Sequence, residues 1–479
     1  MEIEKILKER FGFSTLRPGQ KEVIEQVVGG NDVIALLPTG MGKSLCYQLP
    51  GYIFNQPVLI ISPLLSLMQD QVDQMKQFKE KRVVALNSFM NPEQKKQTIY
   101  HLEQYRFIFI SPEMLIQPQV QQKLNTIQLA LIVVDEAHCI SQWGFDFRPD
   151  YLKIGELFGN HRPPILALSA TATSKVLKDI EVYLNMSQPY KYIHSVDRPN
   201  IHLAKYSFLE KEDKLDWILR HVLETEGPGI IYTQSRSKTE SISELLLQHG
   251  IAAASYHGGK DQLDRQFIQQ QYIDDSLDWI VATNAFGMGV HKPNVRQIIH
   301  ETIPGNMANY MQEIGRAGRD GKDAVAILLY AERDEEFAKF VGIDDLPNDH
   351  HIELYENYRI RQELPNQMIQ NGEISETSFR VLHYWMTQKS ANEVKELFQT
   401  MKYEKMHEVD EVMRLVKTEC CMREILVRYF GQELETKPTN CCASCGLTLE
   451  NLLLPRQQKD HVVEETPWQK RVAKILGIS

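Results

Sequence analysis

No apolar run in this 479-residue chain approaches the ~18 residues of a membrane span. The longest are short strings such as LALIVV at 129–134. The first residues, MEIEKILKER, mix acids and bases without an apolar segment, so no secretory leader is expected. Cysteine is scarce, at 7 residues, and five of these crowd between 420 and 445. That excludes a disulfide scaffold and points to a reducing compartment. An excess of positive charge is also missing: 53 Lys and Arg stand against 63 Asp and Glu, a net charge of −10. By itself this counts weakly against a nucleic-acid binder, because phosphate backbones attract Lys and Arg. Low-complexity tracts and short-period repeats are absent too. The expectation is a cytoplasmic protein without a membrane partner, nucleoid-associated if bacterial.

What the chain does have is a rhythm of short apolar runs. DVIALL (32–37), PVLIIS (57–62), FIFIS (107–111), LALIVVDE (129–136) and ILALSAT (165–171) are rich in Val, Ile and Leu. Each is too short for a helix and is followed by a polar turn and a helical period, as buried parallel strands are. After a junction near 195–206 the rhythm restarts with GIIYTQS (229–235), AAASYHG (252–258), WIVATN (279–284), QIIHET (297–302) and AVAILLY (324–330). Two successive α/β units with a cleft between them are expected. Beyond 331 strand signals vanish and the sequence turns polar and helical.

The first run leads into LPTGMGKS (37–44) and then an apolar helix. A glycine-bearing turn there exposes backbone N–H groups that cradle phosphates. Thr39, Gly40, Met41, Gly42, Lys43 and Ser44 form the expected loop. Lys43 reaches the terminal phosphates and Ser44 ligates Mg²⁺. Leu37 stands where the full pattern has glycine. Asp135-Glu136-Ala137-His138 ends another strand; Asp135 suits the metal, and Glu136 suits polarisation of an attacking water.

With these motifs in order, the chain resembles the superfamily 2 helicases, and among them the RecQ family, over roughly residues 8–330 and more weakly to 445. The resemblance implies an α/β protein of two tandem RecA-like parallel-sheet lobes followed by a mainly helical, zinc-binding C-terminal region. It gives residues 1–198 to lobe 1 and 199–335 to lobe 2. A helical insert with a candidate helix-turn-helix follows at 336–400, then a zinc module at 401–446 and a short tail at 447–479. FGFSTLRPGQ resembles the family's adenine-reading element, which assigns Phe13 to stacking and Gln20 to the base edge, with Arg17 nearby. SPLLSLMQDQV (62–72), LNS (86–88) and SPEML (111–115) resemble segments that grip a nucleic-acid backbone, Ser62 among them. SATAT (169–173) resembles the motif that couples hydrolysis to lobe movement. ISQWGFDFRPDY (140–151) is similar to the family's aromatic-rich loop. Its Gln142, Trp143, Phe147 and Arg148 become candidate DNA contacts, at about 1–3 kcal/mol per stacked base.

From lobe 2, YMQEIGRAGRDG (310–321) is expected to set Gln312, Arg316 and Arg319 on one side of a helix. The resemblance implies nucleotide sensing by Gln312 and a charge-neutralising finger from Arg316 or Arg319. The clustered thiols read as Zn²⁺ ligands. Cys421, Cys442 and Cys445 match the family's ligands, and the fourth is Cys441 or Cys420. The implied activity is an ATP- and Mg²⁺-dependent 3′–5′ helicase acting on single-stranded and tailed duplex DNA, in repair or recombination. A DNA-stimulated translocase that does not separate strands, and a nucleotide-gated DNA-binding adaptor, are the alternatives. The family's C-terminal winged helix and helicase-and-RNase-D-type domain are not expected within 446–479. Residues 331–376 hold 12 acids against 4 bases, −8 of the net −10. The acidity is thus local, and this segment is expected to face away from the DNA path.

Overall fold

The computed structural model describes residues 2–87, 90–142, 149–159, 162–287 and 292–456. Two parallel sheets form the frame, each with helices on both faces. The first comprises β1 (Val33–Leu36), β2 (Val58–Ile61), β3 (Val83–Leu86), β4 (Phe107–Ile110), β5 (Leu131–Val134), β6 (Ile165–Ser169) and β7 (Tyr190–Ile193), in the order β3-β4-β2-β5-β6-β1-β7. The second comprises β8 (Ile201–Phe208), β9 (Gly229–Tyr232), β10 (Ala253–Tyr256), β11 (Trp279–Ala282), β12 (Gln297–His300) and β13 (Ala324–Ala331), in the order β10-β11-β9-β12-β13-β8. Central strands such as β1, β2 and β5 are buried along their whole length, because both faces are covered.

Three strands differ from the sequence expectation. β3, where no strand was expected, ends at Leu86, the first residue of the LNS segment read as a backbone grip. β7 is a largely exposed edge strand whose YKYI alternation carries no apolar run. The junction expected at 195–206 ends early: β8 begins at Ile201 and pairs with β13 over eight residues.

Past β13 come the helices Asp334–Asp344, Asp349–Ile360, Glu376–Gln388, Ala391–Lys417 and Met422–Tyr429. The expected helix pair around Gln388-Lys389-Ser390 is present. Ser390 and Glu393 form a reciprocal capping box that starts the second helix. That helix has no internal Gly or Pro, so it runs 27 residues to Lys417, about 40 Å. The division expected at residue 400 therefore falls inside one rigid element. The helix's Val394, Phe398 and Met401 join the core of lobe 1 beside Tyr151, Ile154 and Val176. Its Val412, Met413, Leu415 and Val416 join the core of lobe 2. The acidic segment is likewise packed against lobe 1 through Leu346, Ile352, Tyr355 and Met368. Among the described residues no helix is long and apolar enough to cross a membrane.

A candidate nucleotide cleft and a four-cysteine cluster

The C-terminal ends of β1 and β5 open on the gap between the lobes, where ligands of parallel sheets bind. Leu37 continues the hydrogen bonding of β1 by donating to the Ser169 carbonyl at 2.9 Å. The loop then turns through Gly40 (φ 88°) and Gly42 (φ 76°), left-handed conformations that favour glycine. It delivers Lys43 and Ser44 to the start of the helix Leu45–Ile53. Ser44 makes no side-chain capping bond there.

Lys43 Nζ donates to Glu136 Oε1 at 3.2 Å. Burial alone would lower the Lys43 ammonium's pKa, but the Glu136 and Asp135 carboxylates outweigh it and raise the value. Burial, reinforced by the adjacent Glu136, pushes Asp135 up to about 6. Glu136 is buried too, yet Lys43 and His138 hold it below the usual carboxylate range. Its φ of 50° is unusual for a non-glycine residue, and its N–H donates to Asp135 Oδ1 at 3.0 Å. The two acids thus shift in opposite directions although they are neighbours in sequence.

His138, quoted within the acidic motif but given no task from sequence, connects the lobes. Its Nε2 lies 3.0 Å from Gln312 Nε2, and its Nδ1 lies 2.9 Å from Ser169 Oγ. Ser169 Oγ in turn donates to the Thr171 carbonyl at 2.8 Å. Burial lowers the imidazole's pKa, so it is neutral at pH 7. It accepts from the Gln312 amide and donates from Nδ1. A second inter-lobe bond runs from Thr39 Oγ1 to the Gly315 carbonyl at 3.1 Å.

The helix carrying Gln312 spans only Met307–Ile314. Arg316 and Arg319 therefore do not continue its face; they sit in the turns that follow Gly315. All three nevertheless line the same cleft as Lys43, Asp135 and Glu136, a space of ≈ 720 Å³. The Arg316 guanidinium donates to the Gly287 carbonyl, so closely that a Cβ on Gly287 would fall 2.1 Å from Arg316 Cζ. Arg319 lies against Gly40 of the phosphate loop. Burial, then the neighbouring cations Arg316 and Arg198, push it down to about 9. A site in which cations crowd like this is built for an anion.

At the mouth, Phe13 is 56% exposed and Arg17 donates to the Gly40 carbonyl. Gln20 bonds to the phosphate loop. Its amide nitrogen is directed to the carbonyls of Met41 (2.8 Å) and Gly42 (3.1 Å), and its oxygen accepts from Arg17 N at 2.9 Å. These bonds tie the helix Gln20–Val28 to the phosphate loop. Ser62 is 2% exposed at the end of β2, and its hydroxyl has no partner among the described residues. Of the other candidate contacts, Trp143, Phe147, Arg148 and the side chain of Gln142 lie outside the described residues, as do Ser88 and Phe145.

The cysteine question has a geometric answer. Cys421, Cys441, Cys442 and Cys445 bring their Sγ atoms within 4.8 Å of one another, and Cys420 is exposed and outside the group. Adjacent Cys441 and Cys442 both take part. The turn after Cys442, closed by Cys445 N donating to the Cys442 carbonyl at 2.8 Å, folds the third thiol back onto them. The Cys421–Cys441 and Cys421–Cys442 sulfur separations are 3.5 and 3.9 Å. Thiolates about 2.3 Å from a tetrahedral zinc would stand about 3.8 Å apart, so the donor set fits that ion.

Comparison with known proteins agrees with this architecture. Residues 17–180 match the DEAD/DEAH box helicase family, and residues 210–321 match the helicase conserved C-terminal domain. Among solved structures, the DUF1998 helicase MrfA bound to DNA superposes with a TM-score of 0.60 at 20% identity, over 71% of this chain and 52% of that one. Yeast (S. cerevisiae) Dbp5 bound to RNA and ADP BeF3 gives 0.57 at 18% identity, over 70% and 88%. These likenesses show the fold, that of a two-lobed helicase.

The sequence relatives are more particular. The chain is 40% identical to the probable ATP-dependent DNA helicase RecS of Bacillus subtilis (strain 168), covering 99% of this chain and 98% of that protein. It is 36% identical to the ATP-dependent DNA helicase RecQ of Haemophilus influenzae, over 91% of this chain and 62% of that one. The chain belongs to the RecQ-type ATP-dependent DNA helicases.

Proposed function

We propose that this protein couples ATP hydrolysis to 3′–5′ movement along single-stranded DNA and to the opening of duplexes, in DNA repair or recombination. The observation that carries the reading is the meeting of Gln312, Arg316 and Arg319 from lobe 2 with Lys43, Asp135 and Glu136 from lobe 1 in one cleft. Hydrolysis that needs both lobes is hydrolysis that senses their movement.

In this reading Phe13 stacks on the base and Arg17 flanks it. The loop from Thr39 to Ser44 cradles the phosphates. Ser44 and Asp135 would hold Mg²⁺, which supplies charge neutralisation on the phosphate oxygens. Lys43 leaves Glu136 for the terminal phosphate, and the freed carboxylate accepts a proton from the attacking water. Arg319 neutralises charge as the γ-phosphoryl group transfers. His138, neutral and bonded to both Ser169 and Gln312, reports the state of the cleft to the strand end at 169–173. The loop at 140–151 is assigned to unpaired bases by its resemblance to the family's aromatic-rich loop.

Unwinding of 3′-tailed against 5′-tailed duplexes with ATP is the test. We expect strand separation with the 3′ tail; ATP-driven movement without separation would favour the translocase instead. Zn²⁺ is proposed for the four-cysteine cluster. The double variant Cys421→Ser, Cys445→Ser should lose about one equivalent of zinc per chain and melt several degrees lower. Wild-type protein with no zinc by elemental analysis would remove the assignment.

A further inference from the structure

The chain passes from lobe 1 to lobe 2 through residues 194–200, between the end of β7 and the start of β8, with neither helix nor strand. This linker is gripped from outside both sheets. Gln432, just after Tyr429-Phe430-Gly431, donates to the His194 carbonyl at 3.1 Å and accepts from the Val196 N–H at 2.9 Å. Arg423, 2% exposed and two residues past Cys421, pairs with Asp197 at 2.5 Å. It also donates to the Arg198 carbonyl at 3.0 Å and to that of Ile201. Leu203 N donates to the Cys441 carbonyl at 3.3 Å. A largely buried ion pair with carbonyl acceptors around it is demanding in geometry, so it fixes one arrangement of the linker.

The linker in turn holds the loop between the two cleft arginines. Arg198 donates to the carbonyls of Ala317 (3.3 Å) and Gly318 (2.9 Å). Asn200 donates to those of Gly318 and Lys322, both at 2.8 Å. Gly318 has φ 53°, and a Cβ there would meet Asn200 Nδ2 at 2.4 Å. Position is therefore passed by direct bonds from the cysteine module to the linker, and from the linker to the segment between Arg316 and Arg319.

We propose that the cysteine module splints the inter-lobe linker and, through it, sets the arginine loop in the cleft, with Gln432 and Arg423 as positioning residues. Neither touches the nucleotide. Lobe 1 holds ATP through Phe13, Lys43 and Ser44, so the splint acts on turnover and leaves binding alone. The inference rests on the catalytic reading of Arg319.

Gln432→Ala in the full chain tests it, with zinc content and melting temperature recorded beside DNA-stimulated ATP turnover and hydrogen exchange at the Val196 amide. We expect metal and melting temperature to be retained, Val196 protection to be lost, and kcat to fall roughly fivefold or more with KM for ATP within about twofold. Gln432→Glu keeps an acceptor for Val196 N–H but loses the donor to His194. Its exchange should be near wild type and its kcat intermediate; it also decides the matter if the alanine variant does not fold, an unchanged kcat then overturning the proposal. Unchanged turnover in Gln432→Ala, or a Val196 amide as protected as before, overturns the splint. The same falls in kcat should shrink to within about twofold in an Arg319→Lys background, because the two residues then act in series; additive losses count against it. Turnover indifferent to Arg319 itself would instead overturn the catalytic reading.

Discussion

Glu136→Gln is expected to abolish phosphate release while ATP still binds. Lys43 holds this carboxylate below its usual pKa range against its burial, so at pH 7 it is charged and able to accept a proton. Its neighbour Asp135, pushed up to about 6 by burial and by Glu136, is the weaker acid. The amide keeps the size and the N–H partner of Glu136 but accepts no proton. Removing a general base costs about 10²–10⁴ in rate. Release of inorganic phosphate from single-stranded DNA-stimulated protein, with ATP affinity measured by a fluorescent analogue, separates chemistry from binding. Undiminished release from the variant would falsify the assignment of Glu136 and revive the nucleotide-gated adaptor.

The second large effect belongs to Arg319→Ala, for which kcat falls by about 10³–10⁵ with a smaller change in KM. Arg316 and Arg319 were equivalent by sequence. The structure separates them: Arg316 is turned to the Gly287 carbonyl, whereas Arg319 lies against Gly40 of the phosphate loop. Burial and two neighbouring cations make the Arg319 charge costly, and an anion beside it relieves that cost. Arg316→Ala should instead disturb the 287 loop and lower both binding and turnover. Single-turnover rates at saturating ATP distinguish these outcomes, and equal losses with equal KM changes would sink the distinction.

Legibility followed the range of the forces involved. Buried strands such as VIAL and LIVV were readable because a central parallel strand is apolar throughout. The exposed edge strand YKYI was not, because its partner β1 lies about 155 residues away in sequence and supplies the pairing. Lys43, Asp135 and Glu136 were readable because each follows a strand and needs only local backbone to point it. The orientations of Ser62 and Gln20 were not. Which way a residue at a strand end or helix start faces depends on what the neighbouring strand or loop occupies.

The long acidic segment shows the same division. Its charge says nothing of its packing: Leu346, Ile352, Tyr355 and Met368 are buried in one core with lobe 1, and Asp345 lines the space between the lobes with Thr173 and Asn284. Composition records how many charges a segment carries, and burial depends on which helical face carries the apolar ones.

By itself, then, the sequence determined two parallel sheets, the phosphate loop, the acidic box and a thiol cluster, all set by residues close together in the chain. Tertiary structure alone decided that Cys441 completes the four-thiol group, that Arg319 faces the phosphate loop, and that one helix is shared between both lobe cores. These depend on residues 20 to 279 positions apart meeting in space (Cys421 with Cys441, Gly40 with Arg319). Such meetings are settled by packing and by hydrogen-bond partners that no local pattern encodes.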